Sequence, residues 1–302
     1  MDDVINKLIR HIKKNKIKYI TISESNHRSY TSHTFQYKFV KALYENNIID
    51  TFSSERMGIN DSKIIDYYLE NGLDIDEMIP KLFFGGMGFY RIFKYFSKKS
   101  FKDYKIVGLE EDNICKKVYD LFPKDLKISK TYNQKEREEF WLNNIKKIVK
   151  ERGNLFINGY HLSKDDIIGK YFIDNFPKET LILSMASLEI KTQILLINRE
   201  LYPGDNGFNR AIEKDDYITK VQKIDRIAPP TKIERKAKGW KLIKVDKHNR
   251  NEKIRAVGCY LALYEDEYKD KLNIVEEVSY KLKNYDYLIL FEKSIYREKM
   301  VY

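Results

Sequence analysis

The sequence predicts an α/β domain, a mainly parallel sheet with helices on both faces and a helical insertion or lid. Three observations predict it. Short apolar runs of strand length alternate with segments whose apolar residues recur every three or four positions, as in β-α-β chains. The run at 17–23 reads as a buried strand near the N-terminus, as an α/β chain requires. The chain of 302 residues, 42% hydrophobic and 14% aromatic with only 13 Gly and 6 Pro, can bury one large core. One domain over 1–302 is expected, with 195–239 as a lid or insertion within it.

The elements follow in order. Residues 3–14 place Val4, Leu8, Ile9 and Ile12 on one helical face, and 17–23 (IKYITIS) reads as a buried strand. From Thr34 to Glu45, Phe35, Phe39, Val40, Leu43 and Tyr44 mark a helix, and a short strand follows at 48–55. DSKIIDYYLENG carries the stripe Ile64, Ile65, Tyr68 and Leu69, with Gly72 placed to end the helix in a left-handed conformation. Residues 89–98 read as a helix and 104–112 as a third strand. A long helix is expected at 134–152 with Phe140, Trp141, Ile145, Ile148 and Val149 inward and Gly153 as its stop, then a strand at 153–159. Ser163 with Asp166 resembles a capping box for the next helix, and 179–190 supplies a fifth strand. Segment 195–239, with PGDNG and Pro229-Pro230, has no settled periodicity. IRAVGCYLALYE is compatible with strand or buried helix, and 285–293 suits a closing strand.

Composition narrows the function classes. The two cysteines, Cys115 and Cys259, are far apart and form no CxxC, so neither a disulfide framework nor a thiolate zinc site is indicated. A reducing, cytoplasmic location is expected. No apolar stretch approaches the ~18 residues of a membrane span, so no membrane partner is expected. The net charge of +11 keeps a nucleic-acid or other polyanion partner as a minor alternative, although acidic residues are scattered among the lysines. No GxSxG elbow is present, and Gly85-Gly86-Met87-Gly88 lacks the Lys-Ser/Thr of a phosphate-binding loop.

In parallel sheets ligands bind outside the carboxyl ends of the strands, which directs attention to the residues found there. The first strand ends in Glu24, followed by His27 and Arg28; the second in Glu55-Arg56; the third in Glu110, Glu111 and Asp112; the fourth in Asn158, followed by His161. A carboxylate three residues from an imidazole in a loop can orient the ring and raise its basicity, so that it deprotonates water near neutral pH. Glu24, His27, Glu55 and His161 are the candidate catalytic residues. Arg28, Arg56, Asn158, Glu110 and Asp112 are candidate substrate contacts, the arginines through forked hydrogen bonds. No cofactor is required, though the His and carboxylate set could ligate a divalent metal. His11, His33 and His248 read as structural or solvated.

These residues carry a family resemblance. Ser23-Glu24-Ser25-Asn26-His27-Arg28 resembles the Gly-Glu-x-x-His-Gly signature of the erythromycin esterase-like family, with Ser23 and Arg28 in place of its glycines. FSSERMGINDSKIIDYYLENG, YKIVGLEED, INGYHLSKDDIIGKYF and YDYLILFEK resemble that family's later segments in order; Asn158 stands where it has a first histidine and His161 where it has the second. The resemblance implies hydrolysis of an ester or lactone of a small molecule by water activated on His27, with Glu24 and Glu55 as polarising partners, His161 as a substrate or transition-state contact, and no acyl-enzyme. The alternative is a ligand-binding or regulatory protein that keeps the fold without the chemistry.

Overall fold

The computed structural model describes residues 1–24, 30–74, 90–97, 105–110, 134–159, 161–197, 218–224, 239–260 and 274–301. Helices are α1 (Asp2–Asn15), α2 (Tyr30–Glu45), α3 (Ile59–Glu70), α4 (Tyr90–Ser97), α5 (Gln134–Glu151) and α6 (Ile167–Asn175). Strands are β1 (Tyr19–Glu24), β2 (Thr51–Gly58), β3 (Lys105–Glu110), β4 (Leu155–Gly159), β5 (Thr180–Ile197), β6 (Ile218–Ile224), β7 (Trp240–Lys244), β8 (Lys253–Tyr260), β9 (Ile274–Lys281) and β10 (Tyr287–Val301).

Eight strands form one sheet in the order β3-β2-β4-β1-β5-β10-β7, with β6 on β5; β8 and β9 pair separately. β1 is parallel to β4 and β5, β2 to β3 and β4, and β10 to β5, whereas β7 and β6 run antiparallel to β10 and β5. The α/β architecture read from the sequence is therefore present, helices on both faces included. One apolar cluster joins α1, α2, α3 and α4 to Ile20, Ile22, Phe52 and Phe156, and a second joins Trp141, Ile145 and Ile148 of α5 and Ile168 and Phe172 of α6 to Leu155 and Ile157. The side-chain period of two sends neighbouring strand residues to opposite clusters.

Local signals explain the boundaries. Val4, Ile5, Leu8, Ile9 and Ile12 bury the inward stripe of α1, while Asp2 and Asp3 in the first turn and Lys13 and Lys14 in the last complement the helix dipole. Gly72 ends α3 at φ 63°, its N–H donating to the Leu69 carbonyl and that of Leu73 to Tyr68, the Schellman arrangement. Three expectations are corrected. α2 begins at Tyr30, not Thr34, so that His33 lies inside its first turn, buried. The residue at the start of α6 is Asp166, whose carboxylate accepts the Ser163 N–H at 2.7 Å; Ser163 itself is not the cap. The closing strand runs on to Val301, paired with β5 to Ile197. Of the two conformations open to IRAVGCY, it takes the strand. Of the expected lid, β6 and the end of β5 are described, and the remainder lies outside the described residues. Among the described residues no helix is long and apolar enough to cross a membrane.

Candidate functional site

The topology itself opens a crevice. Adjacent parallel strands β1 and β4 are followed by helices on opposite faces: α2, after β1, packs in the first cluster and α6, after β4, in the second. Helices that follow adjacent parallel strands on opposite faces are the topological mark of a switch point, where ligands bind at the carboxyl ends of the strands.

Three glutamates stand at that edge. Glu24 is the last residue of β1 and 1% exposed, Glu55 lies near the end of β2 and is 3% exposed, and Glu110 ends β3 and is 1% exposed. Carboxylates this deep need hydrogen bonds, because transfer from water without them costs several kcal/mol.

Glu24 is supplied from α2. Gln36 Nε2 donates to Glu24 Oε2 at 2.6 Å, Asn158 Nδ2 of β4 donates to Gln36 Oε1 at 2.7 Å, and Ser54 Oγ of β2 donates to Asn158 Oδ1 at 3.3 Å. The candidate Asn158 is thus fully buried, with its amide engaged on both sides.

Glu55 lies on the opposite face. Its Oε2 accepts the backbone N–H of His161 at 3.5 Å, and its side chain covers Gly159, where an added Cβ would stand only 2.6 Å from Oε2. Gly159 is needed because the Glu55 carboxylate occupies the space of a side chain. The His161 ring sits 3.6 Å from the Glu138 carboxylate through Nδ1, with the Trp141 ring centroid 6.4 Å away.

Glu110 meets α5. Arg137 donates to Glu110 Oε2 through Nε at 2.7 Å and through a terminal guanidinium nitrogen, and Trp141 Nε1 donates to Oε1 at 3.3 Å. The Arg137 guanidinium lies over the Trp141 ring, 4.4 Å from its centroid, an arrangement that favours a delocalised cation. Glu55, His161 and Glu110 are in this way tied to the start of α5 and to β4, while Glu24 and Asn158 are tied to α2.

His27, Arg28 and Asp112 lie outside the described residues, and Arg56 is described in its backbone alone. Among the described residues no group of three or more His, Cys, Asp or Glu is arranged to hold a metal ion. His11 contacts Tyr287, whose hydroxyl lies 3.2 Å from Nδ1, and burial lowers the imidazole pKa, with Lys244 and Lys14 adding to the effect and Asp286 opposing it. His248 is exposed in a turn, its N–H bonded to Asp246.

Sequence reasoning passed over Gln36, Arg137 and Glu138. A signal for two of them exists. Gln36 continues the inward stripe Phe39, Val40 and Leu43 at the i, i+3, i+4 and i+7 spacing, and Arg137 continues Trp141, Ile145 and Ile148. A polar residue on a core-facing stripe requires a buried partner.

No family model and no curated protein matches the chain. Solved structures share its fold. A Bacillus cereus protein is 13% identical with a TM-score of 0.58, over 97% of this chain and 92% of its own. A succinoglycan biosynthesis protein is 10% identical with a TM-score of 0.56, over 96% and 91%. An erythromycin esterase, a histidine-to-asparagine mutant in its open conformation, is 10% identical with a TM-score of 0.54, over 96% and 94%. The resemblance drawn from the sequence is met at the level of fold: this chain has the α/β architecture of an erythromycin esterase along nearly its whole length.

Proposed function

We propose that this protein is a hydrolase that cleaves an ester or lactone of a small molecule with an imidazole-activated water and no covalent intermediate. The observation that supports it is the set of buried glutamates, Glu24, Glu55 and Glu110, at the carboxyl ends of β1, β2 and β3, in a fold shared with an erythromycin esterase. In this reading His27 takes a proton from water as the water oxygen attacks the ester carbonyl. The tetrahedral intermediate then expels the alcohol oxygen, which receives the proton back from the imidazole. Glu24 and Glu55 polarise the base and the water, and His161, beside Glu138, contacts the substrate oxygen that gains charge. Arg28, Arg56 and Asp112 are retained as substrate contacts.

The test is turnover of a panel of aryl esters and macrolactones by wild type and His27→Ala, with and without chelator, each variant checked for folding by circular dichroism. A general base contributes roughly 10²–10⁴-fold, so His27→Ala should lose that much in kcat. Retained activity in the variant would remove His27 from the role of base. Absence of turnover by wild type on every ester would sink the hydrolase reading. A ligand-binding protein of the same fold is the second reading, favoured by Asn158, whose amide is spent on Ser54 and Gln36. Calorimetric binding of an unhydrolysed macrolactone would support it.

A further inference from the structure

We propose that Gln36 is a positioning residue for Glu24: the relay Ser54–Asn158–Gln36 delivers an N–H donor to the Glu24 carboxylate and fixes its orientation. The inference rests on the hydrolase reading for its catalytic consequence and on geometry for the relay itself.

The relay has one direction. Ser54 Oγ donates to the Asn158 carbonyl oxygen, Asn158 Nδ2 to the Gln36 carbonyl oxygen, and Gln36 Nε2 to Glu24 Oε2. Turning the Gln36 amide over would set its carbonyl oxygen 2.6 Å from a carboxylate oxygen, two acceptors in contact. Glu24 thereby dictates the amide orientation of Gln36, and Gln36 that of Asn158. All four side chains are buried, so the contacts are made in a medium where hydrogen bonds strengthen one another and an unmet partner is costly. The partners come from β2, β4, α2 and β1, which span both sides of the β1–β4 crevice. A relay of this span ties Glu24 to β4 beside its own strand and to β2 beyond it.

Two substitutions test the inference. Gln36→Leu keeps bulk and removes the donor. Gln36→Glu restores a donor only when its carboxyl is protonated. Among the described residues, the other buried titratable groups on the helices of that face are His33 of α2 and Asp61 and Tyr68 of α3, which both variants share with wild type. A positioning role predicts that Gln36→Leu lowers kcat by about tenfold or more with little change in KM, because misplacing a catalytic group acts on the transition state. It also predicts that the kcat of Gln36→Glu relative to wild type rises as pH falls from about 8 to about 5, where carboxyls take up protons, while the ratio for Gln36→Leu stays flat. Equal kcat in Gln36→Leu and wild type overturns the proposal, and so does a flat ratio in Gln36→Glu.

If wild type turns over no ester, the hydrolase reading falls and the relay is judged by melting. Acidification should then raise the Tm of Gln36→Glu relative to wild type, as two facing carboxyls come to share a proton, and adding Glu24→Gln should abolish that rise. A Tm difference that ignores pH, or that survives Glu24→Gln, overturns the relay.

Discussion

Replacing Gly159 by alanine tests whether the position of Glu55 depends on a missing side chain. A Cβ on Gly159 would lie 2.6 Å from Glu55 Oε2, 2.7 Å from Cδ and 2.9 Å from Cγ. Non-bonded heavy atoms rest about 3.5 Å apart, so the carboxyl group must retreat by about 1 Å. Because three successive atoms collide, turning the terminal carboxyl alone does not clear the methyl, and a torsion nearer the backbone must change. The displacement pulls Oε2 from the His161 N–H and strains a side chain that is 3% exposed. Overpacking of this kind costs about 1–3 kcal/mol. In a chain of this size that is a fall of roughly 2–6 °C in Tm.

The assay is thermal unfolding of wild type, Gly159→Ala, Glu55→Ala and the double variant. In the double variant the colliding atoms are gone, so Gly159→Ala should add almost nothing to Glu55→Ala, a coupling of about 1–3 kcal/mol between the sites. On an active ester the same shift of about 1 Å should cost up to ~10²-fold in kcat. Additive losses, or a Gly159→Ala protein that melts with wild type, would show that Glu55 does not occupy that space, and the reasoning would fail.

Two further outcomes follow from the same contacts. Arg137→Met withdraws the guanidinium from Glu110 while keeping an apolar body over Trp141, and should lower the urea unfolding free energy by roughly 3 kcal/mol, with Arg137→Met/Glu110→Leu recovering most of it; equal losses in the two proteins would contradict a charge left unneutralised. His11 is the pH-sensitive contact: burial lowers its folded pKa below the ordinary value near 6.5, so the unfolded chain binds the proton more readily. The stability this residue contributes is full above about pH 6.5 and is lost as pH falls from there through the lower folded pKa. Acidification to about pH 5 should therefore reduce the Tm of wild type more than that of His11→Gln, and parallel Tm–pH curves would refute it.

The fold was legible wherever short runs rich in apolar residues alternated with helical stripes. IKYITIS, YKIVGLEED and GNLFING are such runs, and they are β1, β3 and β4 of the sheet. The edge strand β7 (WKLIK) and the β9 strand of the separate pair (IVEEVSYK) escaped, because charged residues interrupt their apolar pattern and partners outside the segment decide their structure. The polar strand ends were legible by rule. Their partners were not: Asn158 and Gln36 lie 122 residues apart and Arg137 and Glu110 lie 27 apart, and only tertiary contact couples them. Helical periodicity identified Trp141 as inward but is silent about a hydrogen bond made by its indole N–H to a strand-end carboxylate.

The parity of the strands explains why two separate sets of partners are needed. On β1 the residues Ile20 and Ile22 face the cluster of α1 to α4, and Glu24, two further on, meets α2 through Gln36. On β2 Phe52 faces the same cluster and Ser54 joins Asn158, so Glu55, one residue later, turns to the opposite face, against Gly159 and the His161 N–H. Glu24 and Glu55 therefore flank the edge of the sheet from its two sides. A group held over the β1–β4 crevice would meet one carboxylate from each layer of helices, and each carboxylate is anchored within its own layer. Loosening α2 should release Glu24 and leave Glu55 in place, while a methyl on Gly159 should do the reverse. If instead Gln36→Leu and Gly159→Ala each disturbed both carboxylates equally, as read by chemical shifts of selectively labelled glutamates, the two-sided arrangement would be wrong.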